Sequence, residues 1–142
     1  MTVTEQDKAT ALAGVPLFAG ISGDSLARLV AVTGEQQFAA GQYIVRQGQV
    51  GSGLYVILAG RARVVRGGEE VAQLATGDFF GELAVIDQQP RNASVQAAEE
   101  TTCLALASWD LIDLLKTDPA LALNLIRGLA ARLRAAGEQH RH

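Results

Sequence analysis

Apolar and polar residues divide this chain into three stretches. From residue 4 to 33 the pattern is helical. "TEQDKATALAG" opens polar and ends at Gly14, a plausible helix stop. "VPLFAGI" is a short apolar link whose Leu17, Phe18 and Ile21 are expected to anchor on a core. Ser22 can cap "GDSLARLVAVT", in which Leu26, Leu29 and Val30 fall on one helical face. The middle stretch changes period. "QQFAA", "QYIVRQG", "GLYVILAG", "RARVVRG", "EEVAQLA", "SVQAAE" and "TTCLALA" are short and β-rich, and glycines punctuate them. "RGGEE" is a hairpin turn signal. Alternation along "YIVRQ" and "LYVILAG" is only partial. With no helices of 10–15 residues between the strands, a parallel α/β sheet is not expected and a small barrel or sandwich is predicted. The last stretch is helical again. Ser108 can cap "WDLIDLLKT", and Asp118-Pro119 supplies a cap and a first-turn proline. The final helix carries two adjacent stripes, Ala122/Ile126/Leu129/Leu133 and Leu121/Leu125/Leu129. One stripe can pack on the β unit. The other calls for a lid role, a partner chain or further sequence.

The bulk numbers refine this outline. With 142 residues, 49% of them hydrophobic and 19% charged, the chain suits one globular domain. A net charge of −3 argues against a general electrostatic nucleic-acid binder, which would carry a basic face. Cys103 is the single cysteine, so no internal disulfide can form, and it reads as a small buried hydrophobe. Glu5 and Asp7 stand where a signal peptide would need basic and then apolar residues, and no run approaches a membrane span of about 20 residues. A cytoplasmic location is expected, for a stand-alone protein or for the soluble part of a larger one.

One segment does not fit a plain core. "FFGELAVIDQQPRNASV", residues 79–95, is mostly small and apolar but contains Glu82 and Arg91. A short helix starting near Gly81 would aim unpaired N–H groups at one spot, which is a ready anion site. Pro90 sets the entry of Arg91, whose fork suits phosphate oxygens. A carboxylate such as Glu82 can accept from a ribose hydroxyl. These groups describe a sugar-phosphate pocket. On charge alone they equally allow a Glu82–Arg91 ion pair that merely staples the loop.

The segment resembles the phosphate-binding cassette of cyclic nucleotide-binding domains, found in cyclic-AMP-dependent kinase regulatory subunits, cyclic-nucleotide-gated channels and bacterial catabolite-activator proteins. That cassette reads Phe-Gly-Glu-aliphatic-Ala-aliphatic-aliphatic, a short insert, then Pro-Arg-x-Ala-Ser/Thr-Val. Phe80, Gly81, Glu82, Leu83, Ala84, Val85 and Ile86 fill its first half, and Pro90, Arg91, Ala93, Ser94 and Val95 its second. "GQYIVRQGQVGSGLYVILAGRARVV" is similar to the family's barrel half, and the flanking segments resemble its N-terminal and closing helices.

The resemblance implies a mainly β, α+β fold: a jelly-roll β-roll over 36–107 with the cassette at 79–95, N-terminal helices over 1–35 and two closing helices over 108–142. It implies that Glu82 takes the ribose 2′-hydroxyl and Arg91 the exocyclic phosphate oxygens. Backbone groups of Gly81, Leu83 and Ala93 would complete these contacts, with Phe80 and Ala84 in the same ligand-contacting set. Asn92 stands where the family often has Ala, Ser or Thr. It can meet the phosphate or a guanine edge, and cyclic AMP is favoured over cyclic GMP. Val64 can wall the purine or simply fill the core, and Arg132 or Leu133 can cap the base or simply pack.

The expected function is a ligand-sensing switch in which the last helix moves, with a homodimer or an effector domain reading that helix. Other readings are a fragment of a bacterial transcription regulator, or a non-binding dimerising scaffold of the same fold. The chain as given is expected to lack a DNA reader of its own. An enzyme is not expected. A cupin-type metal site needs histidines on the strands, whereas His140 and His142 lie in the tail, and neither a nucleophile triad nor a phosphate-loop motif is present. No cofactor is implied beyond the nucleotide ligand.

Overall fold

A computed structural model describes residues 2–50, 53–82, 84–87 and 89–139. Helix α1 (Glu5–Ala13) opens on a capping box. The Thr4 hydroxyl accepts from the Asp7 N–H, and the Asp7 carboxylate accepts from the Thr4 N–H. A 3₁₀ turn, Pro16–Phe18, buries Leu17 and Phe18. Helix α2 (Gly23–Val32) starts at Ser22, whose hydroxyl accepts from the Ser25 N–H, and it buries Leu29 and Val30.

Eight strands follow: β1 (Gly34–Phe38), β2 (Tyr43–Val45), β3 (Gly53–Ala59), β4 (Arg61–Arg66), β5 (Glu69–Ala75), β6 (Phe79–Phe80), β7 (Ser94–Ala97) and β8 (Thr101–Ala107). They form two four-stranded sheets, ordered β1-β8-β3-β6 and β2-β7-β4-β5, and every pairing is antiparallel. This is the jelly-roll β-roll that the resemblance implies, and it agrees with the small barrel or sandwich read from the strand pattern. The predicted hairpin turn falls at Gly67–Gly68, with φ of +59° and +84°, conformations that glycine adopts without strain.

Strands β3 and β8, at the centre of the first sheet, are covered on both faces, which explains their weak alternation. Leu54 and Val56 on β3, with Leu104 and Leu106 on β8, pack against the helices beside Leu12, Phe18, Leu29 and Leu111. Ile57 and Cys103 point the other way, into the roll, where they meet Ala62, Val95 and Ala97 of the second sheet. Burial pushes the Cys103 thiol up to about 12, so it stays a neutral packing group.

Helix α3 spans only Ala84–Asp87, a single turn; the Gly81 carbonyl accepts from the Val85 N–H at 3.0 Å, so the short helix starts near Gly81 as expected. One helical expectation is corrected. Helix α4 (Ser108–Thr117) is not capped by Ser108. Strand β8 runs directly into it through an extended Ala107, and the Ser108 hydroxyl is buried with no partner among the described residues. Asp118, by contrast, caps α5 (Pro119–Gln139) as expected, with its Oδ1 accepting from the Leu121 N–H at 3.1 Å. Its Oδ2 also accepts from the Ser25 hydroxyl at 2.7 Å and from Arg28 at 2.8 Å, tying α5 to α2.

Of the two stripes on α5, Leu121, Leu125 and Leu129 pack on the core. Ile126 and Leu133 of the other are 62% and 74% exposed. No helix among the described residues is long and apolar enough to cross a membrane.

The hydrogen bonds from Ser25 and the Leu121 amide, with the Arg28 charge, hold the Asp118 carboxyl below the usual carboxylate range. A carboxyl depressed on folding stabilises the fold above its unfolded value of about 3.9, and that contribution fades as pH falls through the folded value. Asp118→Asn is therefore expected to lower the thermal midpoint at neutral pH, with the gap to wild type closing in strong acid. Melting curves from pH 7 to pH 2 read this directly.

Candidate functional site

The segment from β6 to β7 folds as a short excursion between the sheets. Phe80 ends β6 opposite Tyr55 of β3, and the two rings stack with centroids 5.2 Å apart and planes 12° apart. Gly81 follows with its positive φ. A Cβ there would overlap the Arg91 guanidinium and the Gly53 carbonyl oxygen, so the glycine lets the arginine lie against the backbone. The single turn of α3 comes next, with Ala84 half-buried and the Val85 N–H donating to the Gly81 carbonyl at 3.0 Å. Leu83 lies outside the described residues, as do His140 and His142.

Arg91 and Glu82 do not pair with each other. Arg91 is partly buried and donates from Nη2 to the Gly53 carbonyl at 2.7 Å. Its Nε is buried with no acceptor among the described residues, and none of their carboxylates pairs with it. Burial lowers its pKa, with Tyr55 acting in the opposite sense. A cationic fork with an unmet donor, lifted partly out of water, favours a bound anion. The arginine's main chain is fixed on both sides. The Gly48 N–H donates to its carbonyl at 2.8 Å, and its own N–H donates to the Gln49 carbonyl at 2.8 Å. Around it lies a cavity of about 90 Å³, lined in part by Ile44, Arg46, Gln49, Tyr55 and Arg91. That is well below the roughly 300–1,000 Å³ usual for ligand pockets.

Glu82 points away from this cavity, toward the helices, and is only 7% exposed. One carboxylate oxygen accepts from the Leu17 N–H at 3.2 Å, and the other is paired with Arg132 of α5. The carboxylate expected to meet a ribose thus joins the 3₁₀ turn, the cassette and the last helix. A buried carboxylate needs such partners, since an unpaired one is costly.

The remaining expected positions lie around this centre. Ala93 is buried, and Asn92 is exposed with its carbonyl accepting from Arg66 Nε at 3.3 Å. Val64 on β4 pairs with Val95 and packs against the inner core of the roll. Arg132 contacts Glu82, while Leu133 is exposed. Leu17, Gly53 and Tyr55 complete the site and carry no local mark in the sequence. Each comes in through space, from another element, and only the strand register bringing Tyr55 opposite Phe80 would have revealed one of them. Among the described residues no cluster of three His, Cys, Asp or Glu side chains could hold a metal ion.

The model of the cyclic nucleotide-binding domain matches residues 35–118, a span that contains the whole cassette. The chain belongs to the cyclic nucleotide-binding domain family. Within that family it is 36% identical, over 128 residues, to the cyclic AMP receptor protein of Thermus thermophilus, a match covering 87% of this chain and 59% of that one. It is also 36% identical to a cyclic nucleotide-gated potassium channel of Rhizobium etli, covering 78% of this chain and 31% of the channel. The chain therefore spans less than two thirds of the length of these relatives. Among solved structures, the N-terminal domain of a transcriptional regulator from Streptomyces coelicolor A3(2) superposes with a TM-score of 0.85 at 32% identity, over 93% of this chain and 96% of that one. The sensor domain of the regulator DNR from Pseudomonas aeruginosa shares the fold, with a TM-score of 0.72 at 22% identity over 97% and 96% of the two chains.

Gly81→Ala would impose both an unfavourable φ and a steric overlap. Strain of this kind costs about 1–3 kcal/mol. Urea unfolding is expected to show a loss of that size, whereas Gly137→Ala, on the exposed end of α5 where a Cβ meets no neighbour, should show none.

Proposed function

We propose that this chain is a single cyclic nucleotide-binding domain, 1–142, that senses its ligand and signals through movement of α5. The observation that carries the reading is the state of the two cassette charges. Arg91 keeps a buried donor with no acceptor among the described residues, while Glu82 is held by Leu17 and by Arg132 of the last helix. The cyclic phosphate meets the Arg91 guanidinium, and the ribose 2′-hydroxyl donates to Glu82. That new hydrogen bond competes with the Arg132 pair, so binding and the position of α5 become one equilibrium. A ligand shifts such an equilibrium only by its differential affinity for the two states. In this reading Phe80, Gly81, Leu83, Ala84, Asn92 and Ala93 line the ligand, Val64 borders the purine, and Arg132 links the site to the helix.

Cyclic AMP is favoured over cyclic GMP; the similarity to a cyclic AMP receptor protein supports this. The role is regulatory, with no reaction catalysed, no cofactor beyond the ligand and a cytoplasmic setting. The exposed Ile126 and Leu133 on α5 favour a homodimer or an effector domain seated on that face. Such a partner would explain why half of a wide apolar helix lacks cover. The close match to the N-terminal domain of a transcriptional regulator supports a place in a larger regulator, where another segment would read DNA.

Calorimetry with cyclic AMP, cyclic GMP and 5′-AMP tests the reading. Wild type is expected to bind cyclic AMP most tightly and 5′-AMP least. At about 100 times its dissociation constant, cyclic AMP should stabilise the fold by ~2.7 kcal/mol. Arg91→Ala is expected to lose roughly 2–5 kcal/mol of binding, the usual penalty for truncating one partner of a buried charge contact. Equal affinities for wild type and Arg91→Ala would remove the site. Glu82→Gln should weaken cyclic AMP more than its 2′-deoxy analogue, and a uniform loss on both would make Glu82 purely structural.

A further inference from the structure

The backbone around Arg91 has little regular structure to hold it. Strand β7 begins only at Ser94, and α3 ends at Asp87. Two ties from outside the cassette close on Asn92 and Ser94, and a third links Gln47 to the hairpin that carries Arg66. Arg66, at the end of β4, donates from Nε to the Asn92 carbonyl at 3.3 Å. The Gln47 N–H donates to the Ser94 hydroxyl at 2.8 Å. The Gln47 side chain reaches in the other direction, where its Oε1 accepts from the Gly67 N–H at 3.1 Å, at the tip of the β4–β5 hairpin. Gln47 directly precedes Gly48 and Gln49, which bracket the Arg91 main chain. The hairpin tip, the β2–β3 loop and the cassette therefore meet along residues 91–94, and none of these three bonds touches the guanidinium, whose partner is the Gly53 carbonyl.

We propose that Arg66 and Gln47 are positioning residues for the anion site, locking the β4–β5 hairpin to the main chain that carries Arg91. This rests on the cyclic-nucleotide reading given above. Both side chains are exposed and lie outside the cassette motif, so their effect comes through the placement of Arg91 and not through contact with ligand. Binding groups must be held to within about 0.5 Å of the productive geometry. An arginine on an irregular segment depends for that precision on the bonds its neighbours make. The hairpin thereby becomes a second lever on affinity: anything that displaces its tip loosens the phosphate anchor.

The test uses the full chain with cyclic AMP as the titrant. Arg66→Ala and Gln47→Leu are each expected to weaken cyclic AMP about three- to ten-fold, the scale of one lost hydrogen bond. The thermal midpoint should stay at the wild-type value, and the ligand-free amides of Gly48 and Arg91 should exchange faster. Arg66→Lys keeps a donor and Gln47→Glu keeps an acceptor, so each should restore most of the affinity, an outcome that a general packing defect would not give. Unchanged affinity in both Arg66→Ala and Gln47→Leu overturns the proposal. So does a loss of affinity that tracks a fallen thermal midpoint and is not rescued. Wild type that binds neither cyclic AMP nor cyclic GMP overturns the cyclic-nucleotide reading, and this proposal with it.

Discussion

The carboxylate of Glu82 is the point on which this arrangement depends. It is buried, yet its two oxygens are satisfied by groups far apart in sequence, the Leu17 N–H and the Arg132 guanidinium. A buried charge holds its partners firmly because losing either leaves an unsolvated oxygen. One residue thus fixes the 3₁₀ turn, the cassette and α5 in a common frame. A rearrangement that offers Glu82 a different donor must be felt in both helical layers. The β-roll beneath, packed on both faces of strands β3 and β8, gives that rearrangement a stiff base.

Arg91 has the complementary character. Its main chain is pinned by Gly48 and Gln49, while its side chain settles for a backbone carbonyl and its buried Nε finds no acceptor among the described residues. The glycine at 81 allows this close lie against the chain. A well-anchored backbone with an under-satisfied head group suits recognition, because little ordering is left to be done when an anion arrives. The two cassette charges stay apart because they face opposite sides of the segment. Glu82 turns to the helices and Arg91 to the roll.

Much of the fold was legible in the residues, and the gaps have physical causes. Ser22 and Asp118 marked helix starts because a cap works through local hydrogen bonds. Ser108 misled because the same residue type can also stand inside a helix that a strand feeds directly. The central strands showed little alternation because β3 and β8 are covered on both faces, so period 2 gives way to a continuous apolar run. The register of β3 against β6 and β8 could not be read locally. With it went the roles of Tyr55, Gly53 and Leu17, which reach the site only through tertiary contacts. The cassette was different. Gly81, Glu82, Pro90 and Arg91 are close in sequence and chemically distinctive, so the charged core of the candidate site could be named from the residues alone. The destination of the Glu82 carboxylate, on Arg132 of the last helix, was not.

The pairing of β1 with β8 has a further consequence, for how the molecule is made. Among the described residues Gly34–Phe38 pairs only with Thr101–Ala107, at the far end of the β unit in sequence. Pairings of such long range close large loops and form slowly. During synthesis the first edge strand must wait, open and unpaired, until nearly the entire β unit has left the ribosome. Exposed strand edges invite association with other chains. The polar run Gly34-Glu35-Gln36-Gln37 at that edge, exposed even in the finished fold, would keep the waiting strand soluble.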